Sequence, residues 1–221
     1  MTIAVKRRHL TIRRWLRELG RGRVLNVGRG MIPLPGASDS WWVVDLEVER
    51  KPSPRLVLYD GSAFPFRNNS FEAALCLDVL EHVENDCFML AEIAHVLKPK
   101  GSLVLTAPAT WHDFREMRLP MGRRAKQWSE VEARWGHVRA GYEVGELVCK
   151  CEAAGLKVVA VEKYGGTIAQ ALYQLWYLRD LAWLFSKKLV LPRLLMELAL
   201  RLDYVFYRNR GCAIAIKAVC P

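Results

Sequence analysis

Short apolar runs, most of them closed by a glycine or an acid, alternate along this chain with segments of helical spacing. Arg23–Gly28 (RVLNVG), Trp41–Asp45 (WWVVD), Arg55–Asp60 (RLVLYD), Glu72–Leu77 (EAALCL), Gly101–Ala107 (GSLVLTA), Leu156–Tyr164 (LKVVAVEKY) and Cys212–Val219 (CAIAIKAV) read as buried strands. Between them, Asn85–Leu97 and Val144–Ala154 read as helices, the second closed by Gly155. This alternation predicts an α/β fold with a mostly parallel sheet, whose strand C-termini open onto a ligand crevice.

The connections are less regular. Ile12, Trp15, Leu16 and Leu19 fall at i, i+3, i+4 and i+7, a one-faced helix ended by Gly20. It is expected to cover one edge of the sheet with its arginines in water; a membrane-surface or nucleic-acid role is the alternative. Pro33 and Pro35 stand where a doubly wound fold places its first helix, and Pro52 and Pro54 break the next connection. Both crossovers are therefore expected to be loops or single turns. Residues 108–136 form an irregular basic stretch, and 167–210 reads as two helices divided at Leu191-Pro192. Charged residues interrupt both halves of that insert, so neither predicts a membrane-spanning helix. It could serve as a lid over an apolar acceptor, as an interfacial membrane attachment through Trp176, Trp183, Lys187 and Lys188, or as packing surface.

Composition sets bounds on partners. The 221 residues suit one domain: a basic helix over 1–22, a core over 23–165, the helical insert 166–210 and a final strand over 211–221. The net charge of +10 is lopsided, with eight Lys and Arg before Val24 against the single acid Glu18, and favours anionic partners. Six cysteines show no zinc-like spacing and read as reduced and structural, which fits a cytoplasmic compartment.

Candidate chemistry gathers at the strand ends. Gly28 and Gly30 follow the first strand, where a backbone must turn and approach a ligand without a Cβ in the way. Asp45 closes the second strand, where a carboxylate can accept from ribose hydroxyls; Asp60 closes the third, with Gly61-Ser62 behind it. Asp78 follows the fourth strand within Leu77-Asp78-Val79-Leu80-Glu81-His82-Val83. His112 lies just past the fifth strand and His137 in Gly136-His137-Val138-Arg139-Ala140-Gly141-Tyr142; either imidazole titrates near working pH.

These blocks, with Ser62-Ala63-Phe64-Pro65-Phe66 and Val96-Leu97-Lys98-Pro99-Lys100-Gly101, resemble the class I S-adenosyl-L-methionine (SAM) dependent methyltransferases of the type 11-like branch, over roughly residues 23–163 and the last strand. The resemblance implies a Rossmann-like seven-stranded sheet with its last strand antiparallel beside the fifth. It implies SAM as cofactor, with Asp60 receiving the adenine amino group, the Gly61 and Ser62 amides facing the ring, and Asp78 lining the methionine end. The chain departs from the family's acid-G-x-G-x-G pattern: Asn26 holds the acid position and Ile32 the third glycine. Asparagine keeps a carbonyl acceptor for the methionine amino group but loses the charge.

The resulting expectation is methyl transfer from SAM to an oxygen of a small-molecule, glycan or lipid-linked acceptor. The cofactor pocket would use Asn26, Gly28, Gly30, Asp45, Asp60, Gly61, Ser62 and Asp78, with His137 and His112 on the acceptor side and no metal. A degenerate fold acting as a binding or scaffold protein at a membrane is the alternative, and RNA methylation a third reading. No appended RNA-binding module or aromatic basic stripe favours nucleic acid. Peripheral association with the membrane stays open, as does oligomeric state.

Overall fold

In a computed structural model of the chain, residues 12–19, 22–28, 41–45, 55–59, 62–110, 136–166, 168, 190–206 and 211–221 are described. Seven strands form one sheet: β1 (Val24–Val27), β2 (Trp42–Asp45), β3 (Leu56–Leu58), β4 (Phe71–Leu77), β5 (Leu97–Pro108), β6 (Lys157–Tyr164) and β7 (Ala213–Val219). Their spatial order is β3-β2-β1-β4-β5-β7-β6. β7 runs antiparallel to both neighbours, and the other pairs are parallel. The expected Rossmann-like sheet with an antiparallel last strand is therefore present.

The helices among the described residues are α1 (12–18), α2 (Asp86–Val96), α3 (Val144–Ala153) and α4 (Val190–Phe206), with a short 3₁₀ turn at Leu80–His82. Period-2 alternation along the central strands divides their side chains between two apolar layers. Leu25, Val27, Ala74, Cys76, Leu103, Leu105, Ile214 and Ile216 meet Leu90, Ile93 and Val96 of α2 and Leu147 and Cys151 of α3. On the opposite face, Val24, Ala73, Leu75, Val104 and Ala215 meet Ile12, Trp15 and Leu19. The N-terminal helix thus covers a face of the central strands rather than an edge. The amphipathic stripe is legible in the sequence, but not its destination, a cluster that includes Ala73, Leu75, Val104 and Ala215 of the sheet.

Two boundaries differ from expectation. β5 begins at Leu97, paired with Phe71, and resumes at Ser102 opposite Ala73. Lys98–Gly101 bulges between them, with Lys100 at φ +64° and its N–H donating to the Cys220 carbonyl at 2.9 Å. α4 starts at Val190, so Leu191-Pro192 lies in its first turn and does not divide two helices there. The expected first helix of the insert lies outside the described residues, as do both proline-rich crossovers and most of 108–136. No helix among the described residues is long and apolar enough to cross a membrane.

Candidate functional site

The parallel strands β1, β2, β3 and β4 end side by side, with Val27 opposite Val44 and Cys76, and Asp45 opposite Leu58. This brings the residues that follow each strand to one edge of the sheet. At the tip of β1, Gly28 has φ +63°, and its N–H donates to the Val44 carbonyl at 2.8 Å. A Cβ there would stand 2.7 Å from a methyl group of Val79, so both the left-handed backbone and the close approach require glycine. Asn26 is buried within β1, and Asp45 closes β2 half-buried.

The loop after β3 is held by aromatic packing. Phe64 stacks edge-on against Tyr59, and Phe66 stands edge-on between Trp42 and Phe71, with centroids 5.4, 5.8 and 5.0 Å apart. Glu92 of α2 accepts the Phe64 N–H at 2.6 Å and closes the same loop from the helix side. The Phe-Pro-Phe block thereby fixes the segment carrying exposed Ser62 against the sheet.

Asp78, at the tip of β4, has φ +54°, an uncommon conformation for a residue with a side chain, although aspartate tolerates it. Its N–H donates to the Thr106 carbonyl at 2.9 Å, and its carboxylate accepts from the Thr106 hydroxyl at 2.7 Å. Thr106 is fully buried in β5. The neighbouring strand therefore orients the Asp78 carboxylate while leaving the residue exposed.

Past Asp78, the 3₁₀ turn meets the 136–142 loop. Val138 N–H donates to the Glu81 carbonyl at 2.8 Å. The His82 Nδ1 stands 3.2 Å from the Gly136 carbonyl, and the His82 and His137 rings meet edge-on with centroids 4.6 Å apart. His82 is exposed, and Glu81 is the buried residue of the pair. Burial pushes the His137 imidazole below its ordinary pKa, His82 adds to that, and Asp78 opposes it. One donor atom from each of Glu81, His82 and His137 lies within 4.8 Å of the others.

The rest of the His-x-Arg…Tyr stretch is scaffolding. Asp86, buried in the first turn of α2, accepts from Arg139, from the Tyr142 hydroxyl at 2.8 Å and from Lys150 of α3 at 2.9 Å. Burial opposes its ionisation, but Lys150, Tyr142 and Arg139 outweigh that and hold it below the usual carboxylate range. Arg139 also donates to the Val83 and Glu84 carbonyls, and the Tyr142 hydroxyl, with one proton to share between two acceptors, also stands 3.0 Å from the Leu80 carbonyl. At Gly141, φ +112°, a Cβ would come within 2.8 Å of the Pro108 and Ala109 carbonyls.

The structure therefore brings Asn26, Gly28, Asp45 and Asp78 to one edge of the sheet, with His137 beside the turn that follows Asp78. Gly30, Asp60, Gly61 and His112 lie outside the described residues. Sequence reasoning assigns no site role to Glu81, His82 or Thr106. The partnership of His82 with His137 had no local signal, because 54 positions separate Gly136 from His82.

Residues 43–105 match the sequence model of a methyltransferase domain, a span reaching from β2 to β5. No curated protein matches the chain by sequence. Among solved structures, a SAM-dependent methyltransferase from Mesorhizobium loti is 16% identical with a TM-score of 0.55, covering 95% of this chain and 96% of its own. Phosphoethanolamine N-methyltransferase 2 from Haemonchus contortus, solved with SAM, is 16% identical with a TM-score of 0.56, covering 97% of this chain and 52% of its own. The [4+2]-cyclase SpnF is 19% identical with a TM-score of 0.53, covering 94% of this chain and 81% of its own. At such identities the likeness establishes the fold, which is that of the class I SAM-dependent methyltransferases. Together with the domain match it supports a SAM-dependent methyltransferase with SAM as cofactor.

The donor set fits that cofactor. A half-buried carboxylate at the β2 tip suits vicinal ribose hydroxyls, and an anchored carboxylate at the β4 tip suits a cationic amino acid moiety.

Proposed function

We propose that the chain transfers a methyl group from SAM to an oxygen of a small-molecule, glycan or lipid-linked acceptor. The observation that carries this reading is the alignment of the β1, β2 and β4 tips, with the Asp78 carboxylate locked by Thr106. SAM supplies an electrophilic methyl on a sulfonium. Asp45 would hold the ribose, Gly28 would let the backbone approach the cofactor, and Asp78 would line its methionine end. Asn26 would contribute its amide at the position next to that end. Asp60, Gly61 and Ser62 would frame the adenine. Alignment of acceptor and donor supplies much of the rate in such a displacement, so the chain's main task is positioning.

His137 would stand on the acceptor side, and His112 is proposed to flank it from the stretch after β5. Support for a lipid-linked acceptor comes from α4. Leu194, Leu195, Leu198, Leu202, Val205 and Phe206 are all exposed on that helix, and the chain carries a net charge of +10. An apolar stripe on a basic protein suits a cytoplasmic protein peripheral to an anionic bilayer. The scaffold reading keeps one specific support: Asn26 in place of an acid on β1.

Titration calorimetry with S-adenosylhomocysteine tests the proposal. Submillimolar binding is expected, and Asp45→Ala is expected to weaken it by about 1–3 kcal/mol, the range for a charge-assisted hydrogen bond lost in a site. Absence of binding at millimolar ligand would replace methyl transfer with the scaffold reading. Unchanged affinity in a folded Asp45→Ala protein would displace the ribose from Asp45.

A further inference from the structure

We infer that Glu81, His82 and His137 form a binding site for one divalent transition-metal ion of the zinc class, at the acceptor side of the crevice. One donor atom from each lies within 4.8 Å of the other two. Ligand atoms about 2.0–2.2 Å from a tetrahedral zinc stand about 3.3–3.6 Å apart. The remaining gap is at most about 1.5 Å on these figures, at an exposed His82 and a half-buried His137. Two imidazoles and a carboxylate are the ligand chemistry of catalytic rather than structural zinc sites, which leave a coordination position open.

The surroundings hold the three groups in this relation. The hydrogen bond from Val138 N–H to the Glu81 carbonyl registers the His137 loop against the 3₁₀ turn. Arg139 and Tyr142 clamp the same loop onto Val83, Glu84, Leu80 and Asp86. His82 Nδ1–H donating to the Gly136 carbonyl would leave its Nε2 lone pair as ligand, the backbone-oriented arrangement common around metal-binding histidines. Glu81 sits in a turn, yet it is 2% exposed.

The inference deepens the methyl-transfer reading and rests on it for the ion's use, though not for its binding. The open position would take the acceptor's hydroxyl oxygen and lower its pKa, so that the proton leaves to water. That oxygen then bonds to the methyl carbon as the carbon–sulfur bond breaks, and the electron pair stays on sulfur to give neutral S-adenosylhomocysteine. His137 would act there as a ligand, not as a proton acceptor.

The test uses the full chain, stripped by a chelator and titrated with Zn²⁺, with Co²⁺ as a spectroscopic probe. One ion per chain is expected to bind at micromolar concentration. His82→Gln and His137→Gln are each expected to weaken binding at least about tenfold, and Cys87→Ser and Cys149→Ser to leave it unchanged. The exposed His82 makes His82→Gln the variant least able to disturb folding, and circular dichroism checks each variant. No binding overturns the inference, as does binding that both histidine variants retain, or a thiolate-to-cobalt absorption band. S-adenosylhomocysteine titrated in parallel separates the two readings: cofactor binding without metal binding removes only this inference, and metal binding without cofactor binding removes methyl transfer.

Discussion

The two faces of the sheet are covered by opposite means. On one face α1 docks through Ile12, Trp15 and Leu19, all buried among strand side chains, and its charges appear only at the rim. Arg14 donates to Glu162 at 2.8 Å and Lys217 to Glu18 at 2.6 Å. On the other face α2 and α3 share an apolar layer, but a buried carboxylate, Asp86, ties them to the 136–142 loop. The difference follows from what each face must do. A cover needs adhesion, which apolar area supplies without direction. A loop that presents His137 needs register, which directional hydrogen bonds to a charged hub supply.

The largest effect that separates the two faces is expected from Trp15→Ala. Removing a fully buried indole should cost about 3–5 kcal/mol, through lost transfer energy and an unfilled cavity. Denaturant unfolding at low and high salt checks it, because an apolar anchor predicts a penalty that salt leaves unchanged. A penalty under about 1 kcal/mol would mean that α1 is not an apolar-anchored cover.

Asp86→Ala should come next, at about 3 kcal/mol, since it leaves Arg139 and Lys150 partly buried without their shared carboxylate. Its signature is pH dependence. The folded pKa lies below the unfolded value of about 3.9, so the hub stabilises fully above that value and loses its contribution as pH falls through the folded pKa. The difference between wild type and Asp86→Ala should therefore shrink on acidification below about pH 4, whereas the Trp15→Ala penalty should not. A difference that stays constant from neutral pH to pH 2 would remove the hub from the comparison.

These two residues also mark what could be read from sequence. Trp15 belongs to an i, i+3, i+4, i+7 stripe, and periodicity identifies such a helix, although not the face it covers. The strands are legible for the same reason, whereas the antiparallel direction of β7 follows from the family resemblance and not from pattern. Asp86 carried no signal: an acid at a helix start reads as an ordinary first-turn charge, and its partners lie 53, 56 and 64 positions away. Nothing local to Leu80–Val83 announces the second histidine, His137, that His82 meets. Glycines and acids at strand ends were visible because a crevice at the C-terminal edge of a parallel sheet imposes them locally; the acceptor side is assembled from separated segments and was not.

The smallest expected effect is at the rim of α1, and it tests whether charge contributes to that face at all. Arg14 is 55% exposed, while its partner Glu162 is nearly buried. Arg14→Met keeps most of the apolar stem and deletes only the guanidinium. Solvent screening of the exposed partner limits the expected loss to about 1 kcal/mol or less, and that loss should fall as salt rises. Measured beside Trp15→Ala, it should be a small fraction of the total. If Arg14→Met cost as much as Asp86→Ala and responded to salt, α1 would be fastened by directed charge as well. The two faces would then differ in where the charge sits rather than in the kind of force that holds them.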